Sequence, residues 1–290
     1  MRYRLAAACL TFSLASVQSV IAEPSVQELA ARTEVRPIET LTLTDQQFLT
    51  GDKSAAKAAV IAGELRLPQG ASGRLPAVVL MHGSGGAGAR EELWSKIFNE
   101  MGIASFVVDS FSGRGLTSVS ANQALLGRFN MILDAYRAHA MLSAHPRIDR
   151  SRIALMGFSR GGQTALYASL KRFKGAWDPE VTFAAYVPLY ASCNATLIDD
   201  TDVSSVPIRM FHGAADDYVP VAPCRAYVER PRAAGRDAHL TEFADAHHGY
   251  DNPLGGKVPA VAVNAQSVRA CKLKEEAPGA ILLRTVFKLN

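Results

Sequence analysis

The sequence is poor in cysteine and tryptophan, has little excess of either charge, and contains no internal repeat or low-complexity tract. Four cysteines among 290 residues are too few for a disulfide-dense scaffold. A net charge of +4, dispersed along the chain, does not supply the clustered basic face that nucleic-acid binding needs. With 48% hydrophobic and 20% charged residues, the composition is that of a globular protein, which excludes a disordered chain, a coiled coil, a collagen-like fibre and a polytopic membrane protein.

The longest uncharged apolar run lies at the N-terminus. A basic start, Met1–Arg4, precedes the apolar stretch Leu5–Val20, and Ala22 supplies a small residue at a cleavage point. This three-part pattern is typical of a secretory signal peptide. The run is short for a membrane span of about 20 residues, so we expect no stable membrane anchor. We predict a signal peptide over residues 1–22 and a secreted or periplasmic single domain over residues 23–290; a buried N-terminal helix is the alternative.

Secretion changes how the cysteines are interpreted, because disulfides persist in oxidising compartments. Cys193, Cys224 and Cys271 remain after removal of the signal peptide, so at most one pair forms within the chain. We favour Cys193 with Cys224, since both follow strand-like segments of the core. Pairing of either with Cys271, or three buried free thiols, stays open at this point.

Apolar runs without alternation recur along the chain and stop at polar or glycine-containing turns, as strands buried on both faces do. These runs are Ala77–Met81, Ile103–Val108, Ile153–Met156, Phe183–Val187 and Ile208–Phe211. Helical patterns lie between or after them, from Leu125 to Ala140, Gln163 to Phe173, Pro223 to Ala234 and, as a closing helix, Val261 to Ala270. Two earlier stretches, Ile38–Leu43 and Ala59–Leu67, predict a small antiparallel hairpin. The alternation favours an α/β fold with a mostly parallel sheet covered on both faces.

The first chemical motif is Gly157–Gly162, reading G-F-S-R-G-G, between a predicted strand and a predicted helix. This is G-x-S-x-G in strand–turn–helix context, where glycines permit a tight turn that exposes the Ser159 hydroxyl beside a helix N-terminus. Ser159 is therefore the candidate nucleophile. The alternative is a glycine-rich turn with a helix-capping serine.

Two further motifs supply an acid and a base. Asp216 and Asp217 follow the Ile208–Phe211 strand, and a carboxylate there is placed to hold an imidazole in one tautomer. We favour Asp216 as the acid. His247 and His248 follow another strand-like stretch, and we favour His248 as the general base, with His247 in reserve. The order Ser, Asp, His is that of an α/β-hydrolase triad.

A glycine-rich turn after an earlier strand completes the predicted site. His82–Gly86 lies where α/β-hydrolases place an oxyanion-hole donor. We predict the backbone N–H of Ser84 as one donor and that of Arg160, the residue after the nucleophile, as the other.

The run Arg147–Gly162 resembles the dienelactone hydrolase family of the α/β-hydrolase superfamily. Further blocks that are similar to its secreted, serine-bearing members are Val79–Gly86, Val108–Gly115, Asp216–Cys224 and Ala246–Pro253. The resemblance implies an α/β-hydrolase fold and hydrolysis of a small-molecule ester or lactone through an acyl-enzyme, with no metal and no organic cofactor. It supports Ser159, Asp216 and His248 as the triad. Dienelactone hydrolases proper carry a cysteine nucleophile, so Ser159 points to other esters.

Two arginines are candidates to bind an acidic substrate. Arg114 and Arg160 carry guanidinium groups suited to bidentate contact with a carboxylate, and Arg114 is the residue that we predict for substrate binding. A loop-fixing role for Arg114, and a salt bridge or a surface position for Arg160, are the alternatives. At the level of the whole protein, the alternatives are a small secreted serine peptidase of the same superfamily and a non-catalytic binding protein of hydrolase fold.

Overall fold

A computed structural model describes residues 32–256, 258–267 and 269–285. The predicted signal peptide and its cleavage point at Ala22 lie outside these residues. A main sheet of eight strands has the order β1-β2-β4-β3-β5-β6-β8-β9. Its strands are β1 Arg32–Thr42, β2 Lys57–Leu67, β3 Leu75–Met81, β4 Ala104–Asp109, β5 Ile148–Phe158, β6 Ala185–Leu189, β8 Ile208–Gly213 and β9 Ala238–Phe243.

The strands from β4 to β9 in this order are parallel to one another. Along β3, Val79 and Met81 belong to the larger hydrophobic cluster, whereas Val78 and Leu80 belong to a second one. Because successive side chains of a strand point to opposite faces, both faces of the sheet are covered. This confirms the predicted doubly covered α/β sheet and explains why its strands do not alternate in sequence.

The two N-terminal strands pair antiparallel, and β2 also pairs antiparallel with β4. The predicted antiparallel pair is therefore present, but it is not a tight hairpin. Helix α1, Asp45–Thr50, lies between the strands and begins with a capping box at Thr44.

The other helices are α2 Ala89–Glu100, α3 Asn130–Ser143, α4 Arg160–Tyr167, α5 Lys171–Trp177 and α6 Ala222–Ala233. Two predicted helices need correction. Leu125 belongs to a separate 3₁₀ turn, Gln123–Leu125, and is exposed, so the long helix starts five residues later than its apolar spacing indicated. The predicted Gln163–Phe173 helix is interrupted between α4 and α5, where Leu170 forms a bridge with Val203.

The C-terminal part also differs from the prediction. Residues 261–267 are not helical, and a hairpin of β10, Cys271–Ala277, and β11, Ala280–Thr285, follows them. β10 also pairs with the short strand β7, Ala195–Thr196, to make a second, three-stranded sheet. Glu275 on β10 is buried, and its carboxylate accepts hydrogen bonds from both Nη atoms of Arg172. These bonds fix the hairpin to α5.

The structure pairs Cys193 with Cys224, with their Cα atoms 5.0 Å apart, as the favoured sequence interpretation predicted. Within the described ranges, Cys271 is unpaired. The bond joins the loop after β6 to helix α6 and closes a loop of 31 residues. Among the described residues, no helix is both long and apolar enough to cross a membrane.

Candidate active site

Ser159 occupies a sharp turn between β5 and α4. Its backbone has φ 54° and ψ −109°, a conformation that non-glycine residues rarely adopt and that marks stored strain at functional turns. The turn is packed closely against its neighbours: a Cβ at Gly157 would overlap the carbonyl oxygen of Gly161, and a Cβ at Gly161 would overlap that of Met81. The glycines of the motif are thus required by close backbone approach, and they leave Ser159 half-buried at the carboxyl end of β5.

Asp216 lies in the loop after β8 and its side chain is fully buried. Its Oδ1 accepts the backbone N–H groups of Tyr218, at 3.0 Å, and Val219, at 2.8 Å. Its Oδ2 lies 3.3 Å from Nε2 of His212. The neighbouring Asp217 is exposed, so the structure separates the two carboxylates that the sequence left as alternatives.

His248 connects Asp216 to Ser159. Its Nδ1 lies 2.8 Å from Asp216 Oδ2, and its Nε2 lies 2.9 Å from Ser159 Oγ. The loops that carry the acid and the base are joined by backbone hydrogen bonds, because the Ala215 N–H donates to the Ala246 carbonyl. The reserve candidate His247 lies outside this chain of contacts.

The electrostatics of Asp216 favour the carboxylate. Burial raises the pKa of Asp216, but hydrogen bonds from His212 and His248, the nearby His248 charge and the Val219 N–H lower it by more. The result is a pKa well below the usual range. The carboxylate is therefore ionised at neutral pH and stabilises a positive charge on the imidazole.

Aromatic rings enclose His248. Tyr190 and Tyr218 both meet its ring edge to face, with centroids 4.9 Å apart in each case. Tyr190 donates its hydroxyl to Asp251 at 2.7 Å, and the other carboxylate oxygen of Asp251 accepts the indole N–H of Trp94 at 2.8 Å. These contacts fix the segment just after His248 to α2 and to the end of β6.

The predicted oxyanion donors lie beside the nucleophile. Ser84 and Arg160 line one cavity together with Ser159. The orientation of the Gly83–Ser84 peptide is set by His82, whose Nδ1 lies 2.7 Å from the Gly83 carbonyl oxygen. The Nε2 of His82 accepts the N–H of Ser110, so the ring is held as the neutral tautomer protonated at Nδ1. Burial lowers the pKa of His82, which favours the same neutral form.

The structure corrects the prediction that Arg114 binds substrate. Its guanidinium forms a buried ion pair with both oxygens of Asp134, and it also donates to Thr42 and to the carbonyls of Ser110 and Leu41. The side chain is only 4% exposed and its donors face protein groups. Arg114 therefore fixes the loop after β4 to β1, which is the alternative that the sequence left open.

The side chain of Arg160 fits neither of its predicted alternatives. It is buried, and its Nη atoms donate to the side-chain amide oxygen of Gln123 and to the carbonyls of Gln123, Leu126 and Gly127 rather than to a carboxylate. Burial lowers the pKa of Arg160 to about 10. The charge is balanced by carbonyl dipoles of one loop.

A cavity of about 650 Å³ opens in front of Ser159. Apolar walls come from Leu43, Leu125 and Leu126, and polar groups come from several residues around the nucleophile. The C-terminal segment contributes Gln266 and Cys271 to the same cavity. The volume and the mixed lining are those of a small-molecule site.

Motif reasoning missed Gln123, Tyr190, Trp94 and Asp251. These residues belong to no short motif, and their partners are distant along the chain: Trp94 and Asp251 are separated by 157 residues. Only the position of Asp251, three residues after His248 within a block that resembles the dienelactone hydrolase family, offered a signal.

Comparison with known proteins identifies the family and the fold. The sequence profile of the Dienelactone hydrolase family matches residues 61–274. Among solved structures, a dienelactone hydrolase-like promiscuous phosphotriesterase from metagenomic libraries has a TM-score of 0.60 at 21% identity and covers 77% of this chain and 87% of its own. A thermophilic esterase of the planctomycete Thermogutta terrifontis has a TM-score of 0.54 at 19% identity, covering 68% and 81%. No curated protein matches the chain.

The sheet order, with a serine turn after β5, is that of the α/β-hydrolase fold. More narrowly, the chain belongs to the dienelactone hydrolase family, whose profile covers well over half of its length.

Proposed function

We propose that the protein is a serine hydrolase that cleaves carboxylic ester or lactone bonds of small soluble substrates through an acyl-enzyme. The observation that carries the proposal is the continuous hydrogen-bonded chain from Ser159 Oγ through both nitrogens of His248 to the buried carboxylate of Asp216. Each contact is within the distance that proton transfer and imidazole orientation need. Membership of a hydrolase family supports the same reaction.

In the proposed first step, Ser159 Oγ attacks the substrate carbonyl carbon while its proton passes to His248 Nε2. The carbonyl electron pair moves to oxygen and gives a tetrahedral oxyanion. Collapse of this intermediate breaks the bond to the alcohol, which takes the proton from His248 and leaves an acyl-serine. Water, deprotonated by His248, then attacks the acyl-serine. The second collapse breaks the bond between the acyl carbon and Ser159 Oγ, His248 returns the proton to Oγ, and the acid is released.

Asp216 and two backbone N–H groups have assigned roles in these steps. Asp216 keeps the Nδ1 proton on His248 and stabilises the imidazolium that forms in each step. The N–H groups of Ser84 and Arg160 receive the oxyanion, and each such donor is worth about 3 kcal/mol in the transition state.

Export of the protein is part of the proposal. The signal-peptide pattern before Glu23 motivates it, and the Cys193–Cys224 disulfide supports it, because such bonds persist in oxidising compartments. Mass spectrometry of protein recovered from outside the cytoplasm tests this point: an N-terminus at Glu23 is expected, and an intact Met1 contradicts it.

Labelling with a fluorophosphonate tests the catalytic proposal. The probe is expected to label Ser159 in the mature protein, and a short nitrophenyl ester is expected to give a burst of nitrophenol before the steady state. Ser159→Ala should abolish both. Ser192→Ala is the matched control. Ser192 lines the same cavity, but its hydroxyl donates to Asn194 rather than to His248. The Ser192→Ala protein should still be labelled at Ser159.

The results separate the proposal from its competitors. Folded protein that resists labelling contradicts the nucleophile assignment and favours a non-catalytic binding protein. Labelling at Ser159 accompanied by cleavage of peptides, but not of esters or lactones, contradicts the substrate class and favours a peptidase.

A further inference from the structure

The amide side chain of Gln123 lies between the side chains of Ser84 and Arg160, the two residues whose backbone N–H groups are the candidate oxyanion donors. Its Oε1 accepts the hydroxyl of Ser84 at 3.0 Å and Nη1 of Arg160 at 2.9 Å. Its Nε2 is 2.9 Å from Ser84 Oγ. One side chain therefore connects the turn after β3 with the residue after the nucleophile, although neither motif contains it.

Gln123 is itself held in place. Arg160 Nη1 also contacts the main-chain carbonyl of Gln123 at 3.2 Å, and Nη2 binds the carbonyls of Leu126 and Gly127 in the same loop. On the other side, the N–H of Gln123 donates to Gln266 Oε1 at 2.8 Å. The amide is thus part of a connected network that joins Ser84, Arg160, the Leu126–Gly127 carbonyls and Gln266.

The network also accounts for the buried charge of Arg160. A guanidinium buried without a carboxylate needs oxygen acceptors to offset its desolvation. Gln123 supplies two of them, the main-chain carbonyl and Oε1. Removing the amide would leave Arg160 Nη1 and Ser84 Oγ each with one hydrogen-bond partner fewer. Ser84 and Arg160 would then no longer be connected through a shared side chain.

We infer that Gln123 is a positioning residue for the oxyanion hole, which keeps the N–H groups of Ser84 and Arg160 directed at one point in front of Ser159. The inference rests on the proposed function. Gln123 does not touch the reacting atoms in this role; it acts through Ser84 and Arg160. A donor misplaced by a fraction of an ångström stabilises the oxyanion less while leaving ground-state binding in place.

The test compares Gln123→Met with Gln123→Glu on nitrophenyl ester hydrolysis. Methionine keeps the length of the side chain but not its hydrogen bonds, and we expect kcat to fall by about 10- to 50-fold with KM within about twofold. A trifluoromethyl ketone, which forms a tetrahedral adduct on serine, should bind more weakly by a similar factor. Glutamate keeps two oxygen acceptors for Ser84 and Arg160, and it should recover most of kcat.

A double-mutant cycle identifies the route of the effect. Ser84→Ala removes the same contact from the other side and keeps the Ser84 N–H, so it should lower kcat in the same direction. Combined with Gln123→Met it should add little, because both changes break one connection. If Gln123→Met does not fold, Ser84→Ala with Gln123→Glu still decides the question by the same kcat and inhibitor readouts.

Two results overturn the inference. An unchanged kcat with a raised KM in Gln123→Met would make the residue part of the substrate wall only. Equal loss in the methionine and glutamate variants, together with additivity in the cycle, would show that Gln123 does not act through Ser84. In both cases fluorophosphonate labelling of wild-type Ser159 leaves the proposed function intact. Wild-type protein that is not labelled removes the proposed function first, and this inference with it.

Discussion

The two sides of Ser159 are built differently. The acid–base side consists of Asp216 and His248 on the loops after β8 and β9, and ionic hydrogen bonds hold it together. The oxyanion side consists of Ser84, Gln123 and Arg160, where neutral amides and carbonyls surround a guanidinium that has no carboxylate bound to it.

This difference has a physical basis. The acid–base side must stabilise a positive charge on an imidazole, so it places a buried carboxylate against the ring. The oxyanion side must stabilise a negative charge, and backbone N–H groups are the donors assigned to it. Carbonyl and amide oxygens accept hydrogen bonds from both Nη atoms of Arg160.

The largest expected effect comes from the acid–base side. Asp216→Asn keeps the size of the side chain but no longer holds the Nδ1–H tautomer of His248, and kcat should fall by about 10⁴-fold. Asp217→Asn, one residue away and exposed, is the matched control and should change kcat by less than about twofold. Comparable losses in the two variants would mean that the acid is misassigned.

The disulfide offers the next test, because it joins the loop after β6 to α6, the helix that follows the Asp216 loop. Replacing Cys193 and Cys224 by serine removes a crosslink that closes 31 residues, and the free energy of unfolding should fall by about 2–4 kcal/mol. Urea denaturation measures this, and reduction of the wild type should reproduce it. Cys271→Ser should leave the unfolding midpoint nearly unchanged. If Cys271→Ser destabilised the protein as much as the replacement of Cys193 and Cys224, a stabilising role of the disulfide would be contradicted.

The smallest effect is expected on the oxyanion side, at His82. His82→Gln should cost about 1–2 kcal/mol of unfolding free energy at pH 7.5, since the contacts to Gly83 and Ser110 weaken. The pKa of His82 is lowered in the folded protein, so below pH of about 6.5 the unfolded chain takes up a proton that the folded chain resists. The wild-type protein therefore becomes less stable as the pH decreases through that range. The loss of unfolding free energy caused by His82→Gln should be smaller at pH 5 than at pH 7.5.

The exposed His239 supplies the control for this measurement, because His239→Gln should cost little at either pH. His139 and His145, whose pKa values burial also lowers, are present in both proteins and cancel in the difference. A cost of His82→Gln that is the same at pH 5 and pH 7.5 would show that the neutral ring is not what stabilises the turn.

Much of the fold was predictable because strands buried on both faces leave a local signature. The apolar run Ala77–Met81 matches β3 within two residues at its start, and the strand preceding Ser159 runs to Phe158, two residues beyond its predicted end at Met156. Helix boundaries were less predictable. Leu125 has the right spacing for a helix, but Asn130 is held by contacts to the Leu43 segment, 87 residues away, and the helix starts there.

The sequence by itself determined the α/β class, the strand–turn–helix setting of Ser159 and the short set of candidates for acid and base. Local chemistry decides these features, since glycine spacing, apolar runs and turn residues act over a few positions. Tertiary structure decided between Asp216 and Asp217 and between His248 and His247, assigned Arg114 to a buried ion pair, and placed Gln123 between Ser84 and Arg160. Those outcomes depend on hydrogen bonds between polar groups that are tens of residues apart in the sequence. Because these groups are buried, leaving one of them without a hydrogen-bond partner would cost free energy.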